Sequence, residues 1–370
     1  MPAERTPTGR APYGRHSRPL APEPARGTAA VAPALTGSPL PAENGFQASG
    51  SALVPYQGET YYGLPAIKAS PYGMRIASYL FVGGLAGFSQ VLANIADLAG
   101  GEHHRSIVRA GRFLALAGAT VSPLLLIADL HRPQRWYNML RVFRRTSAMS
   151  IGAWTLTAFG TLSGLTAFCQ LWEDSSGLRR ARRWAWLPGL FAAGAGAVMS
   201  CYTGSLLSAT STPFCAAVPR LLPALFGTSA ASTAVAALTL TLQACGAPEE
   251  EQRPLEKLAL VAAGTELALS TAARNCWKEQ QLDEPLREKP ERLKFRLGVL
   301  ATGVLLPLAI HGVQTLTGRR SRAATLLAAG FALLGGFLLR STILSAGNRS
   351  ARRPQDYFYF TQLDRGETLP

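Results

Sequence analysis

Ionisable side chains within apolar segments are the residues of this chain that could do chemistry. Glu266, in Ala262-Ala-Gly-Thr-Glu-Leu-Ala-Leu-Ser270, is the only acid near the middle of any such segment. An ionisable group is costly in hydrocarbon, so its presence there points to a function. Burial favours the protonated carboxyl, which can take up and release a proton. The structural alternative is a neutral carboxyl that hydrogen-bonds a neighbouring helix.

Two tyrosines could donate hydrogen bonds from within apolar segments. Arg75 lies four residues before Tyr79, so both side chains share one helix face. Thr203 directly follows Tyr202 and adds a second hydroxyl. A tyrosine ring packs among apolar side chains while its hydroxyl needs a partner. The alternatives are a snorkelling Arg75, an aromatic-belt Tyr79 and a Tyr202 that is hydrogen-bonded only for packing.

A charged corner follows the second apolar segment, at Asp129-Leu-His-Arg-Pro133, with Arg135 two residues later. Proline restricts the backbone of the turn, and guanidinium groups form strong hydrogen bonds with a carboxylate. We expect Asp129, Arg132 and Arg135 to form a salt-bridged cap that holds the loop against the helices. A role in proton entry or partner docking is the alternative.

The elements that must position these residues are membrane helices. Of the 370 residues, 48% are hydrophobic and only 16% are charged, against about 25% in an average soluble domain. A hydrocarbon core about 30 Å thick needs about 20 apolar residues for a helical crossing. Eight segments qualify: Tyr72–Ala96, Ile107–Ala128, Met149–Leu171, Ala185–Ala209, Leu222–Gly246, Pro254–Asn275, Phe295–Leu316 and Arg322–Leu344. We therefore predict an all-α, polytopic membrane protein with about eight transmembrane helices.

Small residues indicate how these helices pack. Gly83 and Gly87 form a small-xxx-small pair, and Ala193-Gly-Ala-Gly-Ala197 presents a similarly smooth surface. Small side chains let helix backbones approach closely in lipid, where no hydrophobic force drives association. The helices should therefore form a compact bundle.

The flanking regions differ from this helical domain, residues 71–346. The leader, residues 1–70, is rich in Pro, Ala, Gly, Ser and Arg, and we expect it to be disordered. Residues 347–370 form a polar C-terminal tail. The net charge of +15 does not indicate nucleic-acid binding, because most cations lie in short connections or in the tails. An excess of cations on the side of the termini places both termini in the cytoplasm.

Metal centres are not expected in this chain. The five cysteines are scattered singly, with no Cys-x-x-Cys pair to hold zinc or an iron–sulfur cluster. A membrane haem of the b type uses two facing histidines, and only His311 lies within an apolar segment. We therefore predict no haem, no iron–sulfur cluster and no metal site.

Five motifs in order resemble the NrfD/PsrC family, the polysulfide-reductase-type membrane subunits of quinone-linked oxidoreductases. They are Tyr61-Tyr-Gly-Leu-Pro-Ala-Ile-Lys68, Tyr79-Leu-Phe-Val-Gly-Gly-Leu-Ala-Gly87, Asp129-Leu-His-Arg-Pro133, Ser147-Ala-Met-Ser-Ile-Gly-Ala-Trp154 and Cys201-Tyr-Thr-Gly-Ser-Leu-Leu207. The resemblance implies a multi-pass protein of the bacterial inner membrane that exchanges electrons between menaquinone or ubiquinone and a ferredoxin-like iron–sulfur subunit. That subunit would in turn serve a molybdopterin or multihaem subunit.

Combined with this resemblance, the residues above have expected roles at a quinone, although the family carries other polar residues at the positions of Arg75 and Tyr79. Tyr202 and Tyr79 would donate hydrogen bonds to the quinone, with Thr203 beside them, and Glu266 would accept or relay a proton. Arg75 would stabilise charge that develops on the quinone. A purely structural membrane anchor is the alternative. A secondary transporter is a third possibility. The sequence shows no convincing inverted repeat, which argues against it.

Overall fold

The computed structural model describes residues 67–100, 103–177 and 179–366. The disordered leader predicted for residues 1–70 falls almost entirely outside this part of the chain. The described residues are helical, with no strand among them. Eight long helices follow one another: α1 Met74–Gly100, α2 Arg105–Ala128, α3 Ala148–Ser176, α4 Arg179–Ser208, α5 Leu221–Ala244, α6 Glu249–Glu279, α7 Glu291–Thr317 and α8 Arg322–Arg352.

Six of these described helices are long and apolar enough to cross a membrane, namely α1, α2, α4, α5, α7 and α8. This confirms an all-helical membrane protein and supports the count of about eight only roughly. The other two helices, α3 and α6, are as long but lack an equally apolar stretch of membrane-spanning length. Glu173 and Asp174 lie near the end of α3, and α6 begins with Glu249, Glu250 and Glu251.

The helices begin and end where local chemistry dictates. Ser147 caps α3, with its hydroxyl accepting the Ser150 N–H at 3.3 Å, and Ser321 caps α8 by accepting the Ala324 N–H at 3.4 Å. Such caps satisfy backbone donors that have no partner within the helix. Gly177 ends α3 in the left-handed region, at φ 65°. A residue without Cβ adopts this conformation at little cost, so the chain can reverse there.

Two groups of four helices build the bundle. In the first group, α1 packs against α2 and α4, and α3 packs against the same two helices. In the second group, α8 packs against α5 and α7, and α6 packs against α5 and α7. The groups meet where α5 contacts α4 and α1, and where α8 contacts α1. We call the end of the bundle where α1 begins and α8 finishes the near end, and the opposite end the far end.

Paired glycines bring neighbouring helices into backbone contact. A Cβ on Gly87 of α1 would overlap the Gly196 carbonyl of α4, and a Cβ on Gly196 would overlap the Gly87 carbonyl. Gly303 of α7 and Gly335 of α8 meet in the same way. The prediction of small-residue packing is confirmed, because two of its glycines form this contact.

A buried ion pair at the far end was not anticipated from the sequence. Arg112 of α2 is 1% exposed, and its Nη2 lies 3.0 Å from Asp97 Oδ2 of α1. Its Nη1 donates to Gln170 Oε1 of α3 at 2.8 Å. Charged groups in an apolar surrounding are retained when they are paired and hydrogen-bonded. This contact joins the first three helices.

The near end contains shorter helices between the long ones. A 3₁₀-helix, Pro133–Leu140, lies between α2 and α3, and the turns Pro213–Ala216 and Glu284–Arg287 follow α4 and α6. The C-terminal helix α9, Pro354–Gly366, follows α8. The polar tail therefore remains helical to residue 366, and α8 continues past Leu344, the predicted end of its segment.

Candidate functional site

The structure brings together Tyr79 and Tyr202, on neighbouring helices α1 and α4. Tyr79 is 3% exposed and Tyr202 is 8% exposed, and the two phenols are close enough to interact electrostatically. The Tyr202 hydroxyl donates to the carbonyl of Ala148, the first residue of α3. The Tyr79 hydroxyl has no hydrogen-bond partner among the described residues. A tyrosine hydroxyl inside a helical bundle usually has a hydrogen-bond partner, so a ligand that accepts this hydrogen bond would be favoured.

Small neighbours make room for the two tyrosines. A Cβ on Gly83 would lie 3.0 Å from Met199 Cε, 3.5 Å from Ser122 Oγ and 4.0 Å from Tyr79 Cε2. Three helices therefore converge over this glycine. The Ser122 hydroxyl is buried and has no partner in the described part of the chain. A Cβ on Gly152 of α3 would overlap the Tyr202 ring, so glycine is required there too.

An apolar cavity of 190 Å³ lies between α2, α3 and the 3₁₀-helix. Pro123 and Leu156 line it from the two long helices, and Trp136 lines it from the 3₁₀-helix. Leu156 lies one helical turn after Gly152, which meets the Tyr202 ring, so α3 connects the cavity with Tyr202. Pro123 has no N–H to donate to the Ala119 carbonyl one turn earlier, and Ala119 also lines the cavity. The site thus combines an apolar chamber with free polar atoms.

Tyr72 adds a third phenol, which the sequence reasoning missed. It precedes α1 and interacts electrostatically with Tyr202 on one side and Asp129 on the other. Burial raises the pKa of Tyr72, and the nearby Asp129 carboxylate raises it further. Asp129 is half-buried. Tyr202, Tyr72 and Asp129 therefore form a series that runs from the buried Tyr202 towards the surface at the near end.

The charged corner differs from the predicted salt-bridged cap. Arg132, Pro133 and Arg135 are exposed, and within the described ranges no ion pair joins Asp129 to either arginine. The prediction of an ion-paired corner was therefore wrong. Pro133 begins the 3₁₀-helix, which leaves both guanidinium groups in solvent. Arg75 binds the end of α2 instead, since its Nη1 donates to the Ala128 carbonyl at 2.8 Å.

Glu266 lies apart from the tyrosines, in the second group of helices. It is 3% exposed on α6, where its carboxyl faces the hydroxyls of Ser229 and Ser232 on α5 and interacts electrostatically with Arg340 of α8. Thr203 is fully buried on α4, and its hydroxyl has no partner among the described residues. The structure therefore brings together Tyr79 and Tyr202, but not Glu266 with either of them.

Arg340 connects the two groups, and the sequence reasoning did not single it out. Its guanidinium is fully buried, and its Nε donates to the Leu80 carbonyl of α1 at 3.1 Å. Nη1 donates to Ser229 Oγ at 3.2 Å and to the Gly336 carbonyl at 2.8 Å, and Nη2 donates to the Phe226 carbonyl at 3.3 Å. An ionisable side chain in hydrocarbon is costly, and this argument, which selected Glu266, applies equally to Arg340 in the eighth apolar segment.

A comparison with protein families agrees with this architecture. The family model described as polysulphide reductase, NrfD, matches residues 66–350. The chain belongs to the NrfD family. The match confirms the resemblance seen in the sequence motifs, and it covers all eight long helices except the last residues of α8. No curated protein sequence matches the NrfD-family chain.

The NrfD-family chain fits a membrane subunit of an oxidoreductase complex. In the residues that the structure describes, no group of three or more His, Cys, Asp or Glu side chains could hold a metal ion. The chemistry available at the tyrosines is hydrogen bonding and proton transfer at a ligand within an apolar chamber. These groups fit a ring that carries carbonyl or hydroxyl oxygens.

Proposed function

We propose that this chain is the quinone-binding membrane subunit of a bacterial oxidoreductase complex. The observation that carries the proposal is the Tyr79–Tyr202 pair, together with the apolar cavity that begins one turn further along α3. Cavities of about 150 Å³ hold a benzene ring, so 190 Å³ can receive one quinone ring. Family membership adds support, since the resemblance to quinone-linked membrane subunits covers the helices that form the site.

The residues of this chain would orient the ring and supply protons. A bound quinone takes up two electrons and two protons when it is reduced, and returns them when quinol is oxidised. Tyr79 would donate to one ring oxygen through its free hydroxyl, and Tyr202 would donate to the other after leaving the Ala148 carbonyl. Tyr72 and Asp129 would exchange the protons with water at the near end. Arg75 and Thr203 would contribute at the rim of the site rather than at the ring.

Glu266 would act through Arg340 and not by touching the quinone. Arg340 binds the Leu80 carbonyl, directly beside Tyr79, and also interacts with Glu266. When a quinone at the tyrosines gains negative charge, that charge attracts the Arg340 guanidinium. The attraction between Arg340 and the ionised Glu266 carboxylate then becomes weaker. Protonation of Glu266 would follow. In this proposal Glu266 remains a proton acceptor, at a second position in the bundle.

The electron partner in this proposal is a ferredoxin-like iron–sulfur subunit that serves a molybdopterin or multihaem subunit. It would dock at the near end, because the 3₁₀-helix at that end lines the cavity and Tyr72 and Asp129 lie there. The protein would lie in the bacterial inner membrane, surrounded by lipid, with both termini cytoplasmic.

Substitution of the two tyrosines tests the proposal. In the assembled complex, Tyr79→Phe and Tyr202→Phe each keep the ring and remove only the hydroxyl. The loss of one hydrogen bond of about 1–1.5 kcal/mol should lower quinol-linked kcat/KM about tenfold. Tyr357→Phe is the matched control, because Tyr357 lies on the C-terminal helix α9, outside the two groups of helices.

Two outcomes would contradict this assignment. Unchanged turnover in Tyr79→Phe, Tyr202→Phe and Glu266→Gln would show that the chain is a structural anchor. Purification as a lone homo-oligomer, without a cluster-bearing protein, would favour a transporter instead.

A further inference from the structure

A second cavity lies at the near end, between elements of the second group of helices, and its lining is strongly basic. Its volume is 310 Å³, and it is enclosed by the end of α6, the turn Glu284–Arg287 and the beginning of α7. Arg274 and Lys278 contribute from α6, and Arg292 and Arg296 contribute from α7. Each pair is spaced by four residues, so its two side chains share one helix face. We call this space the basic cavity.

The charges in the basic cavity are not balanced by the protein. Asp283 is the only acid in its lining, and its Oδ2 is held at 2.8 Å by Nε of Arg287. In the part of the chain that the structure describes, no ion pair reaches the other four cations of the lining. Unpaired cations close together repel one another, so an anion between them would be stabilised.

Glu284 of the enclosing turn lies 4.0 Å from Arg287, and the two acids that follow this turn pair with cations outside the cavity. Glu288 Oε2 lies 3.1 Å from Arg349 Nη1 and its Oε1 lies 2.9 Å from Arg353 Nη1. Glu291 Oε2 lies 2.6 Å from Arg349 Nη2. These carboxylates pair with α8 and the residue that follows it, and so leave the cations of the cavity without counter-ions.

The wall and rim of the basic cavity are apolar. Phe295 and Leu286 are buried in its lining. Beside it on α7, Leu293 is 59% exposed and Leu297 is 55% exposed, and α7 is one of the membrane-spanning helices. Exposed leucines on such a helix face hydrocarbon. The cations therefore lie next to a lipid-facing surface at the bundle end.

We propose that the basic cavity binds the phosphate headgroup of an anionic phospholipid, with its acyl chains against Leu293 and Leu297. Guanidinium groups bind phosphate oxygens in pairs, and basic pockets between membrane helices hold anionic headgroups. Inorganic phosphate offers the same charge without the chains. The adjoining leucines favour the lipid, because they provide an apolar surface for the chains.

Lipid retention tests the proposal. The purified chain is compared with the Arg274→Gln/Arg296→Gln variant, which removes one unpaired guanidinium from each helix. Extraction and mass spectrometry should find phosphatidylglycerol bound to the parent chain, reduced about tenfold in the variant because charge-assisted hydrogen bonds are lost. Arg144→Gln/Arg145→Gln is the matched control, since these exposed arginines lie at the same end in the connection between α2 and α3. The control should retain the lipid fully.

A thermal shift measurement distinguishes a bound phospholipid from bound inorganic phosphate. The melting temperature should rise with phosphatidylglycerol vesicles but not with phosphatidylcholine vesicles, and inorganic phosphate should not reproduce the rise. Equal stabilisation by inorganic phosphate would overturn the lipid assignment in favour of a free-anion site. Equal lipid retention by all variants would overturn the site itself. Arg274→Lys/Arg296→Lys keeps the charge, and intermediate retention by this variant supports the proposal even if the glutamine variant fails to fold.

Discussion

A single arginine, Arg340, joins the two groups of helices, and its environment accounts for both its burial and its charge. Three backbone carbonyls and one serine hydroxyl accept from its guanidinium. The rings of Phe81 and Phe226 lie 5.7 and 5.4 Å from its Cζ. A buried cation is tolerated when its donors are satisfied and aromatic faces surround it. The residue is thus a polar link inside an apolar bundle.

Removal of this side chain should cost far more than removal of its acidic neighbour. Arg340→Gln leaves the Glu266 carboxyl without its cation and frees the carbonyls that it bound, so we expect a loss of about 3–5 kcal/mol. Glu266→Gln should cost less, because Arg340 keeps its four hydrogen-bond acceptors. Thermal unfolding of the purified protein in detergent measures the difference.

Arg322→Gln provides the control for this comparison. Arg322 lies at the beginning of the same helix and donates only to the Gln243 carbonyl, so its loss should cost less than about 1 kcal/mol. The double variant Glu266→Gln/Arg340→Gln should be more stable than the sum of the single effects predicts. A melting temperature unchanged by Arg340→Gln would contradict a linking role.

Sequence reasoning predicted some of the site residues and missed others for identifiable reasons. Tyr79 and Tyr202 were selected because their motifs resemble the family and a phenol in an apolar segment needs a hydrogen-bond partner. Arg340 satisfied the same criterion, but only acids were sought near the middle of the segments. Tyr72 and Ser122 could not be found, because their importance depends on which helix faces meet. That Glu266 lies in the other group of helices is likewise a property of the three-dimensional arrangement.

The helices themselves were predictable at the level of elements. Apolar runs of about 20 residues located each long helix, because the thickness of the hydrocarbon core sets this length. The boundaries were less certain, as α6 begins at Glu249 among charged residues and α8 continues to Arg352. The first or last turn of a helix can consist of polar residues, so the helix is longer than the apolar run that predicts it. The 3₁₀-helix Pro133–Leu140 had no apolar pattern of its own to reveal it.

Two glycines in one turn of α4 allow a sharp test of how α1 and α4 pack. Gly196 meets the backbone of Gly87, whereas a Cβ on Gly194 would meet nothing within 4 Å. Gly196→Ala should separate the helices and cost about 1–3 kcal/mol, as overpacking does. Gly194→Ala should be neutral or stabilising by up to about 1 kcal/mol, because alanine favours a helix over glycine.

Chemical denaturation in mild detergent distinguishes these glycine variants. The reciprocal Gly87→Ala should reproduce the loss seen for Gly196→Ala, since each Cβ overlaps the other backbone. Equal stability of the 194 and 196 variants would show that the two helices do not meet at this point. From sequence alone both glycines belong to the same smooth surface, so only the structure separates them.

For the molecule as a whole, the quinone-binding proposal predicts where a partner docks. The residues of the quinone-binding proposal extend from Tyr202 to Asp129 at the near end. The same end exposes aromatic side chains on the connection between α2 and α3, with Trp136 at 45% and Tyr137 at 58%. Aromatic residues together with arginines are typical of the buried centre of protein interfaces. The iron–sulfur partner should therefore cover this connection.

Site-specific crosslinking tests this arrangement in the intact complex. A photoreactive residue at position 137 should crosslink to the iron–sulfur subunit, because this position lies on the exposed face of the 3₁₀-helix at the near end. The same residue at position 103 is the control, since His103 is exposed between α1 and α2 at the far end. Crosslinking from 103 but not from 137 would place the partner at the opposite end, too far from the tyrosines for direct electron exchange with a quinone held there.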